Sequence, residues 1–176
     1  MIPAKRNETP NLESLFLQAE RYEEAGDFKS AFKCLLASAQ AGDTSSQLNL
    51  GNFYADGKGI KKNLAEAARW YKKAYKNGDR TGALNLAIDR RNEGRTRSAV
   101  IWFKKAVAMN DGDAFIALAK IYRTRKGGQR TAIDLLRQVL LMNRTDISDD
   151  GKEEAASLLK EITIKIVPLS LSGASR

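Results

Sequence analysis

The stretch AARWYKKA at residues 67–74 returns 32 residues further along the chain as AVIWFKKA at residues 99–106. Both stretches place an alanine, an aromatic pair and a second alanine at the spacing of one helix face. A repeat period in the thirties is typical of proteins built from stacked supersecondary units. The repeat therefore predicts an all-α fold made of similar units, and it favours binding over catalysis.

Four units of two helices each can be aligned on this repeat. In the clearest one, the second, Leu50-Gly51 and Tyr54 mark the first helix and Trp70-Tyr71 marks the second. The pairs that correspond to Trp70-Tyr71 in the other units are Cys34-Leu35, Trp102-Phe103 and Leu135-Leu136. The short connections predict antiparallel neighbouring helices. We expect the bulky pairs to pack the units together and not to form a binding platform.

Several predicted helices carry recognisable end signals. Gly42 and Gly78 stand where a helix should stop, because glycine adopts the left-handed conformation of a helix C-terminus without strain. The predicted N-caps are Asp27, Asp43, Asn63 and Asp79. Their side chains can accept hydrogen bonds from the free N–H groups at the start of the following helix. After the fourth unit, Asp149-Asp150 opens a last amphipathic helix. We predict that this helix caps the end of the stack.

One unit resembles a known repeat family. Its pattern is Leu50-Gly51-x-x-Tyr54-x-x-Gly57-x-Gly59-Ile60, then Ala67-x-x-Trp70-Tyr71-x-x-Ala74 and Gly78. This pattern is similar to the consensus of Sel1-like repeats, the longer relatives of tetratricopeptide repeats. The 13-residue offset from Tyr54 to Ala67 is that of Sel1-like units, whereas the corresponding offsets of 9, 9 and 10 in the other units are closer to tetratricopeptide spacing.

The resemblance covers roughly residues 12–145 and has two departures. Asn63 stands where the family usually has aspartate, and Arg90 stands at the tyrosine position of the third unit. The resemblance implies a right-handed α-solenoid of about four helix-turn-helix repeats that serves as a protein-interaction scaffold. The expected organisation is a flexible N-terminus at 1–11, the repeat domain at 12–145, the capping helix at 146–167 and a flexible tail at 168–176.

The positive charge of the chain is concentrated in its middle. The net charge is +9, and it divides into −3 for residues 1–57, +14 for residues 58–144 and −2 for residues 145–176. A basic block of this kind suggests an acidic protein surface or nucleic acid as partner. The alternative is that the lysines only solvate exposed helix faces.

The location of the protein is predicted from its cysteine content and its apolar runs. The single cysteine, Cys34, excludes an intramolecular disulfide and favours a reducing compartment. The first residues carry basic side chains without an apolar run behind them, so a cleaved signal peptide is not expected. No stretch approaches 18 apolar residues. A cytoplasmic location is the prediction.

Two glycine-rich tripeptides are similar to functional motifs but are better explained as turns. Gly57-Lys58-Gly59 lacks the preceding strand and the Gly-Lys-Ser/Thr ending of a phosphate-binding loop. Gly127-Gly128-Gln129 matches the tripeptide that peptide-release factors use for ester hydrolysis, yet it falls between the two helices of the fourth unit. We interpret both as connections within repeats.

The residue types that catalysis needs are scarce. The sequence contains no histidine, the commonest general base and metal ligand. Cys34 aligns with Trp70 and is predicted to be a buried packing residue. Paired carboxylates such as Glu23-Glu24 are expected at helix ends or on solvated faces. We predict a protein that is not an enzyme and that has no catalytic residue, metal site or cofactor.

The first helices of a solenoid line its concave surface, and their register identifies candidate partner-binding residues. Positions one before, two after and five after the Leu50 equivalent should face this groove. The polar residues at these positions that we select as partner-binding are Asn49, Asn52, Asn85, Arg91, Lys120 and Arg123. Asparagine can pair with a peptide backbone, and lysine or arginine can hold a carboxylate. The predicted ligand is a partner protein or an acidic peptide.

Two other functions stay open. The first is RNA binding through a convex basic face formed by cations of the second helices and of the turns. The cations on helices are Arg69, Lys72, Lys73, Lys76, Lys104, Lys105 and Arg137. Those in turns are Lys61, Lys62, Arg95, Arg97, Arg125, Lys126 and Arg130. Family resemblance also suggests a bacterial setting, where such repeats occur in effectors and immunity proteins. The sequence does not identify the partner or the oligomeric state.

Overall fold

The computed structural model describes residues 12–166 and forms nine α-helices there. In chain order they are α1 (Leu12–Glu24), α2 (Phe28–Gln40), α3 (Thr44–Asp56), α4 (Leu64–Lys76), α5 (Arg80–Asn92), α6 (Thr96–Val107), α7 (Gly112–Arg123), α8 (Gln129–Leu141) and α9 (Asp149–Ile166). The predicted all-α fold of about four helical hairpins followed by a capping helix is confirmed. The expected flexible segments 1–11 and 168–176 lie outside the described residues.

The described chain divides into two compact units, with residues up to Gly82 in unit 1 and residues from Ala83 in unit 2. Unit 1 contains α1 to α4 and the first turn of α5, and unit 2 contains the rest of α5 and α6 to α9. In unit 1, α1 packs on α2, α2 on α3, and α3 on α4. In unit 2, α6 packs on α7, α7 on α8, and α9 on both α8 and α7.

The core of unit 1 forms where small residues let the helices approach closely. Leu50 and Phe53 of α3 are buried with Trp70 of α4. Gly51 is required at its position because a Cβ there would lie 2.5 Å from Cε1 of Tyr71. The aromatic pair of α4 is thus part of the packing between helices, as the sequence predicted.

The core of unit 2 follows the same design. Phe103 of α6 is fully buried, and Leu136 and Val139 of α8 are as well. Trp102 is only half-buried, and the Lys105 ammonium lies 4.0 Å from its ring centroid. The cation covers the ring face that packing leaves open.

The predicted helix caps are confirmed. The N–H of Ser30 donates to Asp27, that of Ser46 to Asp43, and those of Ala65 and Glu66 to Asn63, while Asp79 accepts from Thr81. Gly42 and Gly78 both have positive φ after their helices. Asn110 takes the same role after α6, with φ of 62°, so asparagine replaces glycine there.

The loop before α9 fastens this helix to the start of α7. Ile147 is buried, and a Cβ on Gly112 would lie 2.6 Å from the Ile147 Cβ, so only glycine fits beneath it. The Gly112 N–H donates to the carbonyl oxygen of Asp146. On α9 itself, Ala155 and Ile162 are buried. The predicted capping helix is therefore an integral part of unit 2.

Cys34 is less buried than the sequence predicts. It was predicted to be a buried packing residue, and the structure leaves it half-buried on α2. Its Sγ lies 3.9 Å from Oε1 of Gln18 on α1, and it packs against the core of unit 1.

Candidate functional site

The partner-binding residues predicted from the sequence lie on α3, α5 and α7, the first helices of their hairpins. Asn49 and Asn52 belong to unit 1, and both are half-buried. Asn52 is already used inside its hairpin, because the Tyr71 hydroxyl donates to its Oδ1 at 2.8 Å. Asn49 is therefore the asparagine of unit 1 better placed to meet a peptide backbone.

On α5, the two predicted residues differ in how accessible they are to a partner. Asn85 is half-buried and already interacts with other residues of the chain. Arg91 is exposed, and its guanidinium carbon lies 5.9 Å from the centroid of the Phe103 ring. Within residues 12–166, Arg91 makes no ion pair. It is thus a cation that is held over an aromatic ring and still open to an anion.

On α7, both predicted cations bind α9. Lys120 Nζ lies 2.6 Å from Glu154 Oε1, and Arg123 Nη1 lies 2.9 Å from Glu161 Oε2. All four side chains stay partly exposed, so each pair contributes about 1 kcal/mol or less to stability. The two pairs lie on the face of α9 that meets α7. Glu154 and Glu161 were not among the predicted site residues, although their i, i+7 spacing on α9 puts them on one helix face.

One carboxylate of α1 is also paired within the fold. Glu23 of α1 accepts from Lys58, with 2.7 Å between Oε1 and Nζ. The same ammonium lies 5.9 Å from the Phe28 ring and 5.6 Å from the Phe53 ring. Lys58 comes from the Gly57-Lys58-Gly59 loop, so this loop joins α3–α4 to the preceding hairpin. Its interpretation as a connection within the repeat agrees with the structure.

The second helices present their cations unevenly. In α4 the outward stripe consists of Arg69, Lys72, Lys73 and Lys76, all exposed. In α6 the position equivalent to Arg69 is Ile101, which is 58% exposed, and in α8 it is the exposed Asp134. The proposed convex basic face is therefore strongest on α4 and is diluted on α6 and α8.

Two titratable groups of the described residues have raised pKa values. Burial raises the pKa of the Cys34 thiol, which favours the protonated, unreactive form. Burial and the neighbouring Glu66 raise the pKa of Tyr54. Within residues 12–166 no group of three or more Cys, Asp and Glu side chains could hold a metal ion.

In the same range no helix is both long and apolar enough to cross a membrane.

The paired antiparallel helices, with small residues where they meet, define a helical-repeat protein of tetratricopeptide-like fold. The Sel1 repeat family model matches three segments of the chain, residues 22–43, 44–79 and 90–111. The crystal structure of a Sel1 repeat protein from Oxalobacter formigenes superposes with a TM-score of 0.66 at 22% identity, covering 78% of this chain and 61% of that one. The chain is a Sel1-like repeat protein.

Two curated relatives are similar in sequence. The chitin synthase regulator SKT5 of Saccharomyces cerevisiae is 43% identical over 60 residues, which are 34% of this chain and 9% of SKT5. The uncharacterized protein NMB1327 of Neisseria meningitidis serogroup B is 32% identical over 128 residues, which are 71% of this chain and 27% of that protein. The chain thus matches only a small part of either relative. Sel1-like repeats generally form protein-interaction scaffolds and are generally non-catalytic.

Proposed function

We propose that this chain is an adaptor that binds an acidic segment of a partner protein through the first helices of its repeats. The observation that supports this proposal is the contact between α7 and α9. Two cations of α7 each hold one carboxylate of α9, at 2.6 and 2.9 Å. The molecule thus carries an internal example of an acidic helix bound to a first helix.

Arg91 is the residue through which a partner would be held on α5. It stands at the register position that corresponds to Arg123 on α7, five residues after Leu86 and Leu118 respectively. Arg123 binds a carboxylate of α9, whereas Arg91 has no carboxylate among the described residues. A guanidinium presents planar paired donors that match a carboxylate. The partner segment should therefore place an aspartate or glutamate on Arg91.

In unit 1, Asn49 has a supporting role in holding the partner. Its amide can donate to and accept from the backbone of a partner segment. Asn52 and Asn85 have other interactions in the fold, so we expect smaller effects from their replacement.

The experiment is affinity capture from the native cell followed by mass spectrometry, with the full chain as bait. Arg91→Glu should release the specific partner, because it places a carboxylate against a carboxylate. The matched control is Lys104→Glu, which makes the same charge change at an exposed position of α6 that has no ion pair among the described residues. Loss of the partner with both variants, or with neither, would refute recognition by the first helices.

As part of the proposal we place the protein in the cytoplasm. The support is the single cysteine, which suits a reducing compartment. Fractionation of the native cell tests this, and recovery of the protein with extracellular or envelope fractions would contradict it.

A further inference from the structure

The turns that join first and second helices in unit 2 are rich in arginine. The α5–α6 turn lies in RRNEGRTR at residues 90–97, and the α7–α8 turn lies in RTRKGGQR at residues 123–130. These two turns and the helix starts that follow them carry five exposed cations. We call this group the arginine edge; it consists of Arg95, Arg97, Arg125, Lys126 and Arg130. The Gly127-Gly128-Gln129 tripeptide lies among them.

The topology of unit 2 brings the two turns to the same edge. Helices α6 and α7 pack against each other and are joined by residues 108–111. Each helix is 12 residues long, so the start of α6 and the end of α7 meet at the edge opposite this connection. Packed helices lie about 8–10 Å apart, which sets the separation of the two clusters.

The charge of the arginine edge is poorly balanced within the fold. Glu93 is the one acidic residue in the two turn sequences, and it is shared by Arg90 at 2.8 Å and Arg95 at 3.2 Å. The Arg95 side chain remains 63% exposed despite this contact. Among residues 12–166, no ion pair involves Arg97, Arg125, Lys126 or Arg130. The edge therefore carries a cluster of solvated positive charges.

The opposite edge of unit 2 is richer in acidic residues. The α6–α7 and α8–α9 connections and the helix starts that follow them carry exposed or half-buried acids, namely Asp113, Asp146, Asp149, Asp150 and Glu153. Cations lie there too: Arg144 pairs with Asp149 at 3.3 Å, and Lys104 and Lys105 lie in the last turn of α6. Unit 2 is thus polarised from one edge to the other, and this field orients a polyanion toward the arginine edge.

We propose that the arginine edge binds the phosphate backbone of nucleic acid. Four of its five cations are guanidinium groups, whose planar donors match phosphate oxygens in pairs. A duplex carries one negative charge per about 1.7 Å of its axis, so clusters about 10 Å apart each face several phosphates. An acidic protein segment offers a lower density of charge. This surface is distinct from the first-helix residue Arg91.

The contact is made to the backbone and reads no sequence. Base recognition in single strands needs exposed aromatic side chains for stacking. Near the edge, Tyr122 is half-buried, and the Arg125 guanidinium lies 5.9 Å from its ring centroid. Phe103 is fully buried. The expected ligand is therefore a duplex of either RNA or DNA, bound without sequence preference.

Fluorescence anisotropy with labelled RNA and DNA duplexes of about 20 base pairs tests the proposal, starting at about 50 mM salt. We expect the full chain to bind both duplexes with similar affinity and to lose affinity steeply as salt rises. The variant Arg97→Gln/Arg125→Gln/Arg130→Gln removes three phosphate contacts. It should reduce the slope of log affinity against log salt by about 2.7 and the affinity at about 50 mM salt more than tenfold.

The matched control is Lys72→Gln/Lys73→Gln/Lys76→Gln, which removes the same charge from the exposed stripe of α4. Its affinity should change less than about threefold, since only long-range charge is lost. Circular dichroism confirms that both variants keep their helices. The proposal is overturned if neither duplex binds at low salt, or if the two variants lose affinity equally. It is also overturned if polyglutamate at equal charge competes as well as the duplex, which would assign the edge to an acidic protein.

Discussion

Replacement of Gly59 by alanine tests how the α3–α4 loop is attached to the preceding hairpin. Gly59 has φ of +66°, a conformation that side chains disfavour. A Cβ at this position would lie 2.6 Å from both the carbonyl carbon and the carbonyl oxygen of Phe28, at the start of α2. The obstacle is backbone, so it cannot move away as a flexible side chain could.

The cost of this replacement has two parts. The left-handed conformation costs an alanine about 1–2 kcal/mol. Displacement of the loop or of the start of α2 adds about 1–3 kcal/mol, the usual range for overpacking. The free energy of unfolding of unit 1 should fall by about 2–5 kcal/mol. The displaced loop would also carry Lys58 away from Glu23, but that exposed pair contributes little.

The same unit offers a matched control in Gly26. Its φ is +75°, and a Cβ there would meet nothing within 4 Å. Gly26→Ala therefore carries the conformational cost alone, about 1–2 kcal/mol. The difference between the two variants isolates the contact with Phe28.

The measurement is equilibrium urea unfolding of the full chain in a Trp102→Phe background. The sequence has two tryptophans, so Trp70, which is 4% exposed in the core of unit 1, then reports on that unit. With a urea dependence of about 1 kcal/mol per molar, Gly59→Ala should unfold at a urea concentration at least about 1 M below that of Gly26→Ala. Equal midpoints for the two variants would refute the attachment inferred from the loop.

Two further predictions concern unit 1. Tyr71→Phe removes the 2.8 Å hydrogen bond to Asn52 and should cost about 1 kcal/mol of unfolding free energy. The control is Tyr22→Phe, at a half-buried tyrosine without a side-chain hydrogen bond among the described residues, and it should cost almost nothing. Equal costs of the two variants in urea unfolding would contradict this prediction. Because burial raises the pKa of Cys34, the thiolate fraction near pH 8 is lower than in the unfolded chain, and a disulfide reagent should modify the native thiol several-fold more slowly than the thiol in urea. An equal rate in both states would show that the packing around Cys34 does not protect it.

Most of the local structure could be predicted from the sequence because its causes are local. A cap needs a side chain two or three residues from the N–H that it accepts from, so Asp43 and Asn63 are recognisable from position alone. The aromatic pairs identify the second helices in the same way, since apolar spacing fixes the buried face. After α6 the left-handed conformation falls on Asn110, a residue that adopts it less often than glycine.

The candidate site was less predictable because charge pairing acts across the fold. The register predicted Lys120 and Arg123 as partner-binding cations, and both lie on α7, a first helix. Their partners, Glu154 and Glu161, lie more than thirty residues away and reach them only because α9 packs on α7. In the structure these two cations bind carboxylates of the chain's own last helix, and their binding of a partner stays a prediction.

By itself the sequence determined the helical repeats, the aromatic pairs of the second helices, the caps and the concentration of positive charge in residues 58–144. These features depend on residue type and on spacing along one chain. Only the tertiary structure decided which charges remain available. It pairs Lys58 with Glu23, and Lys120 and Arg123 with α9, while it leaves Arg91 and the arginine edge exposed. The physical reason is that an ion pair depends on a separation of a few ångströms in space, and helix packing sets that separation.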